Sequence, residues 1–249
     1  MDTFQMYEDI KARTNGEIYI GVVGPVRTGK STFIKRFMDV LVLPYMDDEH
    51  EKARTRDELP QSGSGKTIMT TEPKFVPKEA AVIHLQEDLN LKLRLIDCVG
   101  YMVNGATGPL EENAQRMVKT PWFEEEIPFT HAAEVGTRKV IHEHATIGIV
   151  VTTDGTITEI DREAYLEAER KTIMELQNIG KPFVVLVNSK KPYAKEAQET
   201  AGWLEETYGV RALTVNCEKF SMNFQFQKSN FLSRNGWRCC RRIMRSGKK

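Results

Sequence analysis

At 249 residues, with 40 % hydrophobic and 28 % charged side chains, the chain has the length for one α/β domain of about 200 residues plus a short appendage, which excludes both global disorder and a pair of full enzyme domains. The formal net charge of zero hides an asymmetry: Lys219 to Lys249 hold nine Lys or Arg and no Asp or Glu, so the part before them is net −9. An acidic body does not suit nucleic-acid binding, which needs clustered Lys and Arg, and no nucleic-acid partner is expected.

The four cysteines, Cys98, Cys217, Cys239 and Cys240, follow neither a zinc spacing nor a disulfide framework, which points to reduced cytosol. The N-terminus lacks the basic start and apolar run of a signal peptide, and no segment approaches about 18 uninterrupted apolar residues. A cytoplasmic chain that does not span a membrane is the expectation.

In chain order, Met1 to Arg13 reads as a short amphipathic helix with Phe4, Tyr7 and Ile10 on one side. Glu17 to Val23 is a strand running into glycine, and Lys30 to Val42 has helical periodicity in Phe33, Ile34, Phe37, Met38 and Leu41 before Pro44 closes it. Asp47 to Thr71 is polar, with Pro60 and a glycine/serine run, and predicts a long mobile connection. Ala80 to Leu85 and Leu91 to Ile96 form a strand pair, followed by a Gly- and Asn-rich loop to about Gln115. Thr130 to His144 is helical, Thr146 to Thr152 a buried strand, Asp161 to Asn178 a helix, Pro182 to Val187 a buried strand and Lys195 to Tyr208 a helix. Alternating strand and helix implies an α/β fold with a mostly parallel sheet, helices on both faces, and ligands at the carboxyl ends of the strands.

The chemistry is carried first by Gly24-Pro25-Val26-Arg27-Thr28-Gly29-Lys30-Ser31, which matches GxxxxGK[ST] between a predicted strand and a predicted helix. The glycines let backbone N–H groups wrap phosphates, and the helix N-terminus adds a favourable dipole. Lys30 reaches the β- and γ-phosphates, and the Ser31 hydroxyl, with Thr32 beside it, stands at Mg²⁺. Asp97 then ends an apolar strand and opens the DxxG run Asp97-Cys98-Val99-Gly100. That run places a carboxylate beside the metal and the Gly100 N–H near the γ-phosphate. Between the two motifs, Thr70 or Thr71 is the candidate Mg²⁺-ligating switch hydroxyl, and Arg27 and Lys66 are candidates for offsetting phosphate charge.

Asn188-Ser189-Lys190 follows a buried strand where a guanine-reading NKxD would stand, but Lys191 takes the place of the acidic acceptor. That favours ATP over GTP, with Asn188 and Lys190 kept as nucleotide-binding candidates. Tyr101 stands where a water-orienting glutamine follows DxxG, which predicts slow turnover. A guanine-nucleotide switch with little turnover is the alternative. His142 and His144 point apart and read as surface residues, and Trp122, Phe123 and Trp203 as core or edge packing.

The strings GVVGPVRTGKST, DELPQSGSGKTIMTTEPKFVP, LIDCVGY, Lys119-Thr120-Pro121-Trp122-Phe123-Glu124-Glu125, AAEVGTRKVI with its following EH, and VTTDGTI resemble the N-terminal ATPase domain of the stage IV sporulation protein A family, from about Met1 to Asn216. The resemblance implies a fold of the translation-factor-like GTPase class that uses ATP and Mg²⁺. It also implies self-polymerisation on the outer forespore membrane, in the mother-cell cytoplasm, to form the base of the spore coat. Implied partners are other coat morphogenetic proteins and a small amphipathic membrane-anchor peptide bound by a C-terminal region. Carried over, Lys30 and Ser31 hold nucleotide and Mg²⁺, Thr70 and Thr71 couple hydrolysis to polymerisation, and Asp97 is the metal-side acid. The expected division is an ATPase domain over 1–216 and a basic tail over 217–249 whose composition matches nothing upstream. A frameshifted reading of the following coding region accounts for that change, and a genuine membrane- or partner-binding tail is the alternative.

Overall fold

The computed structural model describes residues 16–60, 72–86, 89–106, 108, 110, 111 and 114–220. The expected helix at Met1 to Arg13, the candidates Lys66, Thr70 and Thr71, and residues 221–249 of the tail lie outside the described residues.

The alternation of apolar runs with amphipathic helices produces the expected layers. Strand β1 (Glu17–Val23) leads through a glycine loop into α1 (Lys30–Phe37), which continues as a π turn over Met38–Val42 and a 3₁₀ turn over Leu43–Tyr45. After α2 (Glu49–Asp57) come β2 (Lys74–Gln86) and β3 (Leu89–Asp97). Two small antiparallel pairs follow, Leu110–Glu111 with Ala114–Gln115 and Met117–Val118 with Ile127–Pro128. Then come α3 (Phe129–Lys139) with a π turn to His144, β4 (Ile147–Thr153), α4 (Leu166–Asn178), β5 (Phe183–Asn188), α5 (Lys195–Tyr208) and β6 (Ala212–Val215). The sheet order is β6-β5-β4-β1-β3-β2, parallel throughout except that β2 runs antiparallel along β3.

Alternate residues of the central strands go to opposite faces, and both faces are buried. Val22, Leu95, Val151 and Leu186 pack under α1 with Phe33, Ile34, Met38 and Val42. Val23, Ile96, Val150 and Val185 pack under the other helices with Val140, Ile141, Ile173, Leu176 and Leu204. Cys217 and Phe220 belong to the α1 side: the Phe220 ring lies 5.8 Å from Phe33, and Arg36 Nε donates to the Phe220 carbonyl at 2.9 Å.

Three differences from the sequence reading have local causes. The Asp47 to Thr71 connection contains α2, a helix with almost no apolar face and so no periodic signal. Its ends specify it: Asp48 Oδ1 accepts from the N–H groups of His50 and Glu51 at 2.7 and 3.0 Å, and Arg54 and Arg56 sit in the last turn. Strand β2 begins at Lys74 rather than Ala80, because Pro77 falls where the register shifts between Val76 and Ala81, so a residue without an N–H interrupts no ladder bond. Strand β6, which the sequence reading omits, is four residues long at the sheet edge, entered from Gly209 at φ 64°. Among the described residues no helix is long and apolar enough to cross a membrane.

Candidate nucleotide site

The glycine loop lies at the carboxyl end of β1, between β3 and β4. Gly24 (φ 132°) and Gly29 (φ 93°) hold conformations that side chains resist, and both are crowded: a Cβ on Gly24 would strike the Val151 carbonyl, and one on Gly29 the Asn188 amide. Arg27, at φ 59°, is the one non-glycine residue in this region of backbone space among the described residues. Gly29 serves as N-cap of α1, with no side-chain cap and no acidic residue in the first turn. The free N–H groups and the positive end of the helix dipole therefore face the loop, the arrangement that binds phosphate.

The loop is braced from three sides. Thr28 Oγ1 donates to the Pro25 carbonyl at 3.0 Å, and the Val26 N–H donates to the Tyr101 carbonyl at 2.9 Å. Asn188 Nδ2 donates to the Thr28 carbonyl at 2.9 Å while Asn188 Oδ1 accepts from the Cys217 N–H at 3.0 Å. Asn188 thus holds the loop against β6, with one amide N–H and one oxygen lone pair still open to a nucleotide. Lys190 and Lys191 are exposed, and the Lys190 N–H donates to Thr156 Oγ1 at 3.0 Å.

Lys30, buried at 5 % exposure, donates through Nζ to the Pro25 carbonyl at 2.6 Å and to the Gly24 carbonyl at 3.4 Å. Burial pushes its ammonium below the usual lysine range, opposed by the charge of Asp97. Burial likewise raises Asp97, opposed by the hydrogen bond from Ser31 and the charge of Lys30. Ser31 Oγ donates to Asp97 Oδ2 at 2.7 Å, and Asp97 Oδ1 is buried with no hydrogen-bond partner. A hydroxyl and a carboxylate side by side, one oxygen still lacking a donor, form the hard-oxygen set that Mg²⁺ takes. Loop, lysine, serine and carboxylate, read from two motifs more than sixty residues apart, therefore converge at one place. Ser31 and Thr32 are half-buried beside them.

Beyond Asp97 the chain turns back along the loop. Gly100 has φ 95°, and its N–H donates to Thr137 Oγ1 on α3 at 3.2 Å. Tyr101 pairs with Pro25 through the backbone and sends its side chain the other way, between α3 and α4, where its hydroxyl donates to Glu175 Oε2 at 2.6 Å and Lys171 Nζ sits 4.6 Å from its ring. A glutamine placed here would face the helices and not the phosphates. Tyr101→Gln should therefore leave turnover no faster while costing about 2–3 kcal/mol of stability from lost packing, measurable by urea denaturation alongside phosphate release.

Cys98 and Cys217 are buried and in no disulfide, and the Cys98 thiol donates to the Val22 carbonyl at 3.5 Å. Burial pushes the Cys98 thiol up to about 11 and the Cys217 thiol higher still. In the folded chain at pH 8, iodoacetamide should leave both unmodified, as peptide mapping would read, and denaturant should expose both. Because folded Cys98 keeps its proton above the usual thiol value of 9, its contribution to stability falls as pH rises from about 9 to about 11.

Two further elements escape a linear reading. Thr137 lies in the string AAEVGTRKVI, which carries the family resemblance without giving this residue a role, and its partner Gly100 is 37 positions away. Glu169, at 0 % exposure, accepts from Arg162 Nη2 at 2.8 Å and from the Thr152 hydroxyl, fixing the carboxyl end of β4 to α4. Trp203 is edge packing, half-exposed against Tyr208 and the Arg162 guanidinium.

Residues 1–227 match the family described as "Stage IV sporulation protein A, ATPase domain". The chain is 55 % identical over 218 residues to stage IV sporulation protein A of Bacillus subtilis (strain 168), covering 88 % of this chain and 44 % of that protein. It is 52 % identical over 218 residues to the protein of that name from Bacillus anthracis, again covering 88 % and 44 %. With that of Clostridioides difficile (strain 630) it shares 56 % identity over 211 residues, 85 % of this chain and 43 % of the relative. The chain therefore spans less than half the length of these relatives.

Proposed function

The chain belongs to the family of stage IV sporulation protein A ATPase domains, and from that premise we propose that it binds Mg²⁺-ATP across the Gly24 loop and Asp97 and hydrolyses it with water to ADP and phosphate. The observation that carries the proposal is the convergence of Lys30, Ser31 and Asp97, with Ser31 Oγ 2.7 Å from one Asp97 oxygen and the other oxygen unpartnered. The loop N–H groups and Lys30 Nζ bind and orient the β- and γ-phosphates, for which Lys30 exchanges the loop carbonyls it now holds. Mg²⁺, held from Ser31 and Asp97, would offset charge on the transferring phosphoryl group. Thr70 and Thr71 serve as sensors of the γ-phosphate. Turnover is slow, because Tyr101 takes the position of a water-orienting side chain and is tied to Glu175.

The cycle drives self-assembly of the basal layer of the spore coat around the forespore, on its mother-cell side, with other coat proteins and an amphipathic anchor peptide as partners of the longer protein. A second reading, a guanine-nucleotide switch with little turnover, is favoured by the same position of Tyr101. Competition binding of ATP and GTP, with sedimentation of the chain under each Mg²⁺-nucleotide, separates the two. Preference for ATP, with sedimentable assemblies that Lys30→Ala does not form, supports the ATPase. Preference for GTP without assembly supports the switch.

A further inference from the structure

Gly100 sits between the phosphate loop and α3. On one side its Cα is pressed against the phosphate loop: an added Cβ would strike the Gly24 carbonyl and come within 2.6 Å of Lys30 Nζ. On the other side its N–H donates to Thr137 Oγ1 at 3.2 Å. Thr137 is fully buried on the inner face of α3, between Ala133 and Val140. Its hydroxyl proton goes to the Ala133 carbonyl at 2.7 Å, which leaves an oxygen lone pair for the loop.

We infer that Thr137 is a positioning residue that sets the discrimination between nucleoside triphosphate and diphosphate, by competing with the γ-phosphate for the Gly100 N–H. The inference rests on the reading of this site as an ATP site. A buried N–H needs an acceptor, and Thr137 supplies one from α3 whether or not a γ-phosphate is near. For Gly100 to bond the γ-phosphate, that bond must exchange. The exchange changes the restraint on α3, because Gly100 and α3 are joined through it. Helix α3 is continuous with the Met117–Val118 and Ile127–Pro128 pair: the Phe129 N–H donates to the Arg116 carbonyl at 2.8 Å, and the Arg116 guanidinium lies 4.9 Å over the Phe129 ring. Met117 and Phe123 are exposed on that segment.

Valine matches threonine in shape and lacks the acceptor. In Thr137→Val the Gly100 N–H keeps only the weakly accepting Cys98 sulfur unless a γ-phosphate provides an oxygen, so the penalty falls on the diphosphate-bound and free states and not on the triphosphate-bound state. The test is the equilibrium binding of Mg²⁺-ADP and of a non-hydrolysable Mg²⁺-ATP analogue to the full chain. Thr137→Val, and Thr137→Ala as a second variant, should raise the preference for the triphosphate about tenfold. Thr137→Ser, which keeps the hydroxyl, should restore the wild-type ratio. A wild-type chain that binds both nucleotides, with variants whose two affinities fall together and leave the ratio unchanged, overturns the inference and reduces Thr137 to packing. A wild-type chain that binds neither nucleotide overturns the reading of the site itself.

Discussion

Replacing Glu169 with alanine is expected to destabilise the fold by about 3–5 kcal/mol, because removing one member of a buried ion pair strands the other. Glu169 has 0 % exposure and two partners, the Arg162 guanidinium at 2.8 Å and the Thr152 hydroxyl. Arg162 also has a buried Nη1 with no acceptor, so little is available to take over when the carboxylate is lost. Its side chain keeps 17 % exposure, through which water can reach it, and that argues for the lower half of the range. Urea denaturation of Glu169→Ala reads the cost directly. Glu169→Leu combined with Arg162→Leu should recover part of it, since a matched apolar pair avoids the desolvation of both charges while the buried Thr152 hydroxyl still loses its acceptor. A single-variant loss under about 1 kcal/mol would mean that the pair contributes no more than a surface one.

The second large effect is expected at Gly100. Alanine there meets a positive φ of 95° and the Gly24 carbonyl at once, with the Pro25 carbonyl carbon at 3.1 Å. The obstruction is backbone, which cannot rotate away, so the Asp97–Tyr101 segment must separate from the phosphate loop and weaken the bond from Val26 N–H to the Tyr101 carbonyl. A displacement of about 1 Å in such a site lowers turnover roughly 10²-fold. Gly100→Ala should therefore hydrolyse nucleotide at about a hundredth of the wild-type rate, measured by phosphate release, while retaining a cooperative melt. Wild-type turnover in this variant would remove Gly100 from the site.

The parts of the architecture that can be read in advance are those where one signal is strong and local. The apolar runs of β1, β4 and β5, each bounded by glycine, proline or a polar turn, announce a buried parallel sheet. The phosphate loop is legible because its glycines, lysine and serine are contiguous and sit between a strand and a helix. Helix α2 is not, since its stability comes from the Asp48 cap and surface pairs such as Lys52 with Glu49, at 2.7 Å, rather than from an apolar stripe. The short edge strand β6 gives too few residues for a period to register.

Within the site, residue types could be named but their partners could not. Asn188 reads as a base contact from its place after β5, and its bonds to Thr28 and Cys217, which tie the loop to the end of β6, arise from tertiary packing that no linear pattern announces. Tyr101 reads as a substituted glutamine, and the direction of its side chain toward Glu175 depends on how α3 and α4 pack. Thr137 stands in a string that carries the family resemblance, but its role is not legible there, because it lies in a hydrogen bond to a residue on another segment.

Hydrolysis of ATP at Lys30, Ser31 and Asp97 is read from phosphate release by the purified chain with Mg²⁺-ATP and Mg²⁺-GTP, with Lys30→Ala as the blank. Slow release from ATP that disappears in Lys30→Ala is the predicted result. Release from GTP alone, or release from ATP that Lys30→Ala leaves intact, would contradict it.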